Sequence, residues 1–316
     1  MPQYAFFRKQ FVPLSEARVG IMTHALNYGT ACFEGIRGNW NSDRGQMYLF
    51  RLEDHYRRLL KSCHILKIKL PYTADRLSQL TVELVAKNGY QEDIYIRPIA
   101  YKSSETVGVR LHNLEDDFFV FVTPFGPYLD TEKGARCCIS SWRRIDDNMI
   151  PPRAKVTGLY VNSALAKTEA WENGCDEAIL LTQEGHVSEG SGENIFIILE
   201  GKLITPPSSD NILKGITRDA VIQIARDELG IDIIERPVDR SELYIADECF
   251  MTGTAANVTP VVEIDRRSVG NGKVGKTTRQ IQRFYHDIIR GNNSKYSRWC
   301  TPAYPAKLTP KKKKRQ

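Results

Sequence analysis

The stretch His186–Asp219, HVSEGSGENIFIILEGKLITPPSSDNILKGITRD, decides the reading of this chain. It opens with small and acidic residues, Glu189-Gly-Ser191-Gly-Glu193-Asn194, which read as a turn feeding the apolar strand Asn194–Leu199. Leu213-Lys214-Gly215-Ile216-Thr217 then opens a helix whose apolar positions, Ala220, Val221, Ile224, Ala225 and Leu229, recur at helical spacing. The first N–H groups of a helix have no partner inside it, and a glycine lets an anion come close to them. The run thus offers a carboxylate and an anion cup in fixed order. A capped helix after a hairpin would give the same local pattern, so a lone Gly-x-Thr says little; the whole run says more.

Outward from this stretch, 316 residues are enough for two moderate domains. Short strands around two helices are expected over 1–124. The first helix follows Phe50-Arg51, with Leu52, Tyr56, Leu59, Leu60, Cys63 and Leu66 on one face. The second spans Ala74 to Lys87 and stops at Asn88-Gly89. Asp93–Pro98 and Phe118–Val122 read as strands, and the Pro124-Phe125-Gly126-Pro127 break places an interdomain linker at 125–135. A larger domain over 136–292 alternates strands (138–142, 177–181, 194–199, 248–251) with helices near 159–173, 217–229 and 277–290. Residues 293–316 read as a loosely packed end.

Composition is that of a globular protein, 41% hydrophobic and 26% charged, with no apolar run of the roughly 18 residues a membrane span needs. The N-terminus MPQYAFFRKQF lacks a signal-peptide core. Seven cysteines, an odd number without CxxC spacing, read as free thiols of a cytoplasmic protein. Six scattered histidines give no ligand spacing, and no metal site is expected. The formal charge of +6 matches the five lysines and one arginine of 307–316. The body is therefore neutral, and the basic pI is no sign of a nucleic-acid partner beyond nonspecific binding by a solvated tail.

Most lysines are solvated, but Lys155 stands in Ile150-Pro-Pro-Arg153-Ala154-Lys155-Val156-Thr157-Gly158-Leu159-Tyr160, after a Pro-Pro stop and before a helix. Small and apolar neighbours would desolvate its amine. Two more stretches stand out, Phe33-Glu34-Gly35-Ile36-Arg37 and Tyr95-Ile96-Arg97-Pro98, where strand alternation puts Tyr95 and Arg97 on one face. With the opening run, these motifs resemble the branched-chain aminotransferases, a class IV (fold-type IV) family of pyridoxal-phosphate enzymes. The resemblance covers residues from about 4 to 290.

The resemblance implies an α/β (mixed α+β) fold of two domains, the larger one holding pyridoxal 5′-phosphate. It makes Lys155 the lysine that bonds to the cofactor and Tyr160 a donor to the cofactor's 3′ oxygen. Glu189 would partner the pyridine nitrogen; Glu193, four residues on, is a competitor that the local residues do not exclude. Phosphate would be held by the N–H groups of Ile216 and Thr217, with Gly215 giving clearance, by Arg58 and by the Thr254 hydroxyl. Asn194 and Leu213 complete the cofactor contacts.

For substrate, the resemblance assigns the α-carboxylate to Tyr95 and to the N–H groups of Thr254 and Ala255. Arg97 would read the distal carboxylate of glutamate. Phe33, Tyr28 and Tyr128 would form an apolar wall, completed by Val107 and Val109 of a neighbouring subunit in a homodimer or a hexamer of dimers. The implied reaction moves the amino group of L-leucine, L-isoleucine or L-valine to 2-oxoglutarate. Phe125 stands where the family often has tryptophan, and Arg110 puts a cation near the pocket rim that bears on acidic substrates. D-amino acid aminotransferase and aminodeoxychorismate lyase share the lysine and glutamate but not EGIR together with YIRP. A non-catalytic protein using its basic tail is the reading from another class.

Overall fold

A computed structural model of the chain describes residues 3–126 and 128–305. The basic tail expected at 307–316 lies outside the described residues. Among the described residues, eight strands form one sheet and nine a second.

The first sheet is antiparallel and built around Ile94–Lys102. Its side chains alternate as expected: Ile94 and Ile96 are fully buried in the core, and Tyr95 and Arg97 point to the other face. Asp116–Pro124 pairs along its whole length on one side. On the other side it meets Ala31–Phe33 over one half and Ile36–Asn41 over the other. Pro98, which has no N–H to give, lies at that interruption, where the Glu34 N–H donates to its carbonyl at 3.0 Å. A Cβ at Gly35 would meet the Tyr95 hydroxyl at 2.0 Å, so the crossing point needs a residue without a side chain.

Helix α1 (His24–Tyr28) lies outside this sheet, and α2 (Leu52–Ile65) and α3 (Ala74–Asn88) pack on it. The stop at Gly89 is as the sequence reads, in the left-handed conformation with φ 66°. Apolar faces of α2 and α3 (Leu52, Tyr56, Leu59, Leu77, Leu84) close over Ile94, Ile96, Phe118 and Val120. Burying side chains of this size stabilises the layer by about 2 kcal/mol each.

The second sheet runs from Val187–Gly190 through Glu177–Leu181, Ala135–Arg143, Asn257–Ile264, Glu248–Gly253, Asn194–Leu199 and Lys202–Thr205 to Ile233–Glu235. It is mixed: Ala135–Arg143 is parallel to both its neighbours, and the hairpins are antiparallel. Helix α4 (Tyr160–Glu172) packs on it through Ala166 and Ala170. Helix α5 (Ile216–Leu229), the short α6 (Glu242–Ile245) and α7 (Lys276–Ile289) follow, with α5 and α7 covering Phe196 and Phe250.

Three expectations change. Glu189 sits in the strand Val187–Gly190, not in a turn; the bend follows at residues 191–193. Asn257–Ile264 is an internal strand not among those expected, and it carries Pro260, a residue rare in such strands. The chain end is not loose over residues 294–303: Tyr296 and Trp299 are buried, and Cys300–Pro302 adds an edge strand to the first sheet, pairing with Gln46–Phe50. Trp299 stacks edge-on against Phe50, which supplies the apolar contact that composition alone did not foretell.

Candidate active site

Between the two sheets lies a cavity of about 470 Å³. Elements from both layers deliver side chains to it, so each can be followed from its local structure.

Lys155 enters from the turn before α4. Its backbone is pinned on both sides: its N–H donates to Ser62 Oγ at 3.1 Å, and its carbonyl accepts from Phe33 N–H at 3.0 Å. The amine lies 2.5 Å from the hydroxyl of Tyr160, the first residue of α4, and 5.0 Å from the Phe33 ring centre. Phe33 and Tyr160 pack edge to face at 4.7 Å.

Glu189 is nearly buried. One oxygen takes a salt bridge from Arg144 at 2.6 Å; the other accepts from the Asn194 amide at 3.0 Å and the Leu213 N–H at 3.1 Å. Burial raises the carboxyl above its ordinary range, against the pull of Arg144, the Leu213 N–H, Lys155 and Arg58. Arg144 went unnoticed in the sequence, where Arg143-Arg144 is merely a basic pair at a strand end. The Asn194 amide also donates to the Leu213 carbonyl at 2.9 Å, tying the strand start to the loop before α5.

That loop ends at Gly215, where Ile216 and Thr217 begin α5 and line the cavity with their end of the helix. Gly215 also lines the cavity, and a Cβ there would reach Asn194 Oδ1 at 2.1 Å, so Asn194 too requires a residue without a side chain at this position.

Arg58 comes from α2. Its Nε and Nη2 donate to the two oxygens of the fully buried Glu34 at 2.7 and 2.6 Å, and Nη1 donates to the Lys214 carbonyl at 2.9 Å. A guanidinium has five N–H groups, so one on each terminal nitrogen stays uncommitted beside the cavity. His55 also contacts Glu34, at 2.8 Å.

At the opposite wall, Arg97 Nη2 donates to the Tyr95 hydroxyl at 3.0 Å, and the guanidinium lies 4.5 Å over the Phe33 ring. Thr254, Ala255 and Tyr128 also line the cavity. Arg37 reaches across from the first sheet to the carbonyls of Ala255 and Phe125, at 3.4 and 3.3 Å.

Tyr28, Val107 and Val109 are the sequence candidates that do not line this cavity. They gather elsewhere: the Tyr28 hydroxyl accepts the Gly108 N–H at 3.0 Å, and His24 Nε2 is 3.0 Å from the Gly108 carbonyl. Val107 and Val109 are 73% and 91% exposed, which no core role explains. Among the described residues no group of His, Cys, Asp and Glu is arranged to hold a metal.

Residues 31–264, which carry the Lys155 amine, the Tyr160 phenol, the buried Glu189 and the α5 start, match the amino-transferase class IV family. The chain belongs to that family. It is 52% identical over 301 residues to a probable branched-chain-amino-acid aminotransferase of Aquifex aeolicus, covering 95% of this chain and 97% of the relative. Among solved structures it resembles the branched-chain aminotransferase of the archaeon Thermoproteus uzoniensis with norvaline, at a TM-score of 0.92 and 46% identity over 96% of this chain and all (100%) of the other. The Thermobaculum terrenum enzyme in its PLP form matches with a TM-score of 0.92 at 40% identity, over 96% and 99% of the two chains.

The family's cofactor is pyridoxal phosphate, and the donor set of this chain suits it. The Lys155 amine can bond to an aldehyde carbon. The buried Glu189 can face a ring N–H. The unpaired N–H groups of the α5 start, with the two uncommitted N–H groups of Arg58, suit a dianionic phosphate.

Proposed function

We propose that the protein transfers the amino group of L-leucine, L-isoleucine or L-valine to 2-oxoglutarate, giving the branched-chain 2-oxo acid and L-glutamate. The observation that carries this reading is the Lys155–Tyr160 pair, at 2.5 Å, in one cavity with Glu189 and Arg97. Bound pyridoxal phosphate supplies a ring that accepts the electron pair left when the substrate Cα loses its proton.

The chain's own residues do the rest. With the cofactor bound, the Lys155 amine would be the base that takes the substrate Cα proton and carries it for return. Tyr160 holds that amine by its hydroxyl and donates to the cofactor's 3′ oxygen. Glu189, braced by Arg144, Asn194 and the Leu213 N–H, partners the ring nitrogen and favours its protonated form. Arg58, the N–H groups of Ile216 and Thr217, and the Thr254 hydroxyl hold phosphate.

The N–H groups of Thr254 and Ala255, with Tyr95, take the α-carboxylate. Arg97 explains how one pocket takes two kinds of side chain. An apolar side chain rests on Phe33 and Tyr128, while the distal carboxylate of glutamate turns to the guanidinium that lies over Phe33. Initial rates of glutamate formation from 2-oxoglutarate with each of the three L-amino acids test this reading. Transfer from D-alanine but from none of them would favour the D-amino acid enzymes instead.

Two coarser expectations join the proposal. The active unit is a dimer or a hexamer of dimers, in which the exposed Val107-Gly108-Val109 loop, propped by Tyr28, closes the neighbour's pocket; burial of two exposed valines supports it. The protein works in the cytoplasm as two domains divided at 125–135. All seven cysteines are free, and among the described residues no helix is long and apolar enough to cross a membrane.

A further inference from the structure

Glu193, which follows the proposed ring partner by four residues, has no part in the reaction described so far. It is 4% exposed and lines the same cavity. Its side chain lies against the strand that leads into the carboxylate-binding turn: a Cβ on Gly253 would stand 3.3 Å from Glu193 Cγ.

The surroundings of this carboxyl hold too little positive charge for an anion. Its Oε2 accepts one hydrogen bond, from the Gly192 N–H at 3.0 Å. The Asn194 amide next to it spends its hydrogens on Glu189 and the Leu213 carbonyl. The cation that acts on it, Lys167 of α4, is held at 2.5 Å by the fully buried Glu177 and at 2.6 Å by the Asp176 carbonyl. The other titratable groups that face Glu193 are Glu177 from the neighbouring strand, Glu189, Tyr128 from the linker and the buried Cys137. Two buried acids, Glu177 and Glu193, thus share one lysine, and the lysine is taken. A buried carboxylate without a partner is costly, and a proton removes the cost.

We propose that Glu193 stands in the pocket wall as a neutral carboxylic acid, and that its ionisation opposes substrate carboxylates, so that this residue sets the alkaline limit of substrate binding. Burial first, then the charge of Glu177, pushes its carboxyl up to about 8. Below that pH the acid leaves the pocket's positive potential, from Arg97 and the helix start, to the substrate. Above it, the proton goes to solvent and a negative charge appears under the Thr254–Ala255 turn. The inference rests on the reading of that turn as the site of the α-carboxylate.

The test uses the holoenzyme in its pyridoxamine-phosphate form, where no lysine–cofactor bond titrates. Binding of 4-methylpentanoate, a carboxylate that cannot react, is measured by calorimetry at about pH 7 and about pH 9.5 for the wild type and Glu193→Gln. If only the protonated form binds, the wild-type Kd rises roughly thirtyfold across this interval for a group titrating near 8. In Glu193→Gln, or in Glu193→Ala should the glutamine variant not fold, that rise is lost. Infrared difference spectra of the wild-type holoenzyme should also show a protonated carboxyl band at neutral pH that fades with alkali and is missing from the variant.

Equal pH ratios in wild type and variant, with transamination of L-leucine intact, overturn the role of Glu193 alone. Absence of L-leucine transamination in the wild type takes down the functional reading and this inference with it.

Discussion

Arg58 grips Glu34 with two parallel hydrogen bonds, 2.7 and 2.6 Å, and Glu34 is completely buried beneath it. The pair lies one residue from Phe33 and Gly35, at the point where the first sheet changes partners. It fixes the plane of the guanidinium, and with it the direction of the N–H groups left for phosphate.

Glu34→Gln should therefore loosen the cofactor without touching it. One charge-assisted bidentate contact is lost, on the order of 2 kcal/mol, which corresponds to tens-fold weaker retention of pyridoxal phosphate. Titration of apoenzyme with pyridoxal phosphate, followed by absorbance, measures it. Unchanged affinity would mean that Arg58 is oriented by Lys214 alone.

The same ion pair has a signature in acid. Burial by itself would raise the Glu34 carboxyl, but the charge and hydrogen bonds of Arg58, helped by His55, hold it down at about 2. A depressed carboxyl contributes stability above its unfolded pKa, and that stability is lost as pH falls from about 4.5 through about 2. The gap in unfolding free energy between wild type and Glu34→Gln should narrow over that window. A gap that is constant in pH would contradict an ionised Glu34.

Arg97→Ala should separate the two half-reactions. Among the described residues its Nε has no partner and Nη2 touches only the Tyr95 hydroxyl, so the guanidinium is available to a carboxylate. Loss of a desolvated charge-assisted contact weakens use of L-glutamate by tens-fold, about 2 kcal/mol, while L-leucine changes much less. Single-turnover rates with the two donors decide. Equal losses would make Arg97 structural and leave Arg110 as the candidate reader of acidic substrates.

Val109→Asp probes assembly. Val109 is almost wholly exposed, and a charge there costs nothing in a monomer but would be desolvated at an interface. Sedimentation should show weaker association together with lower activity. Full activity in a monomer would remove the loop from the site.

The motifs around Lys155, Glu189, Tyr95 and Arg97 were legible in the sequence because each sits in a local pattern: a Pro-Pro stop before a helix, a small-residue run before an apolar strand, an alternating strand. What was not legible depends on contacts between distant residues. Arg144 reaches Glu189 only because the end of its strand folds back over the loop at Asn211. Pro260 lies in an internal strand, since its missing N–H is tolerated where the pairing allows it. The close approach of Asn194 to Gly215, 21 positions later in the chain, is also absent from any local pattern. The packing of residues 294–304 likewise rests on Phe50, against Trp299, and on Gln46, bonded to Tyr304, whose positions composition does not reveal.

The central claim, that Lys155 is the residue to which the cofactor bonds, has a direct chemical test. Reduction of the purified holoenzyme with borohydride makes that bond permanent, and peptide mapping by mass spectrometry then locates the pyridoxyl group. The account predicts one label, on Lys155, and none in Lys155→Ala. A label on another lysine, or none in the wild type, would contradict it.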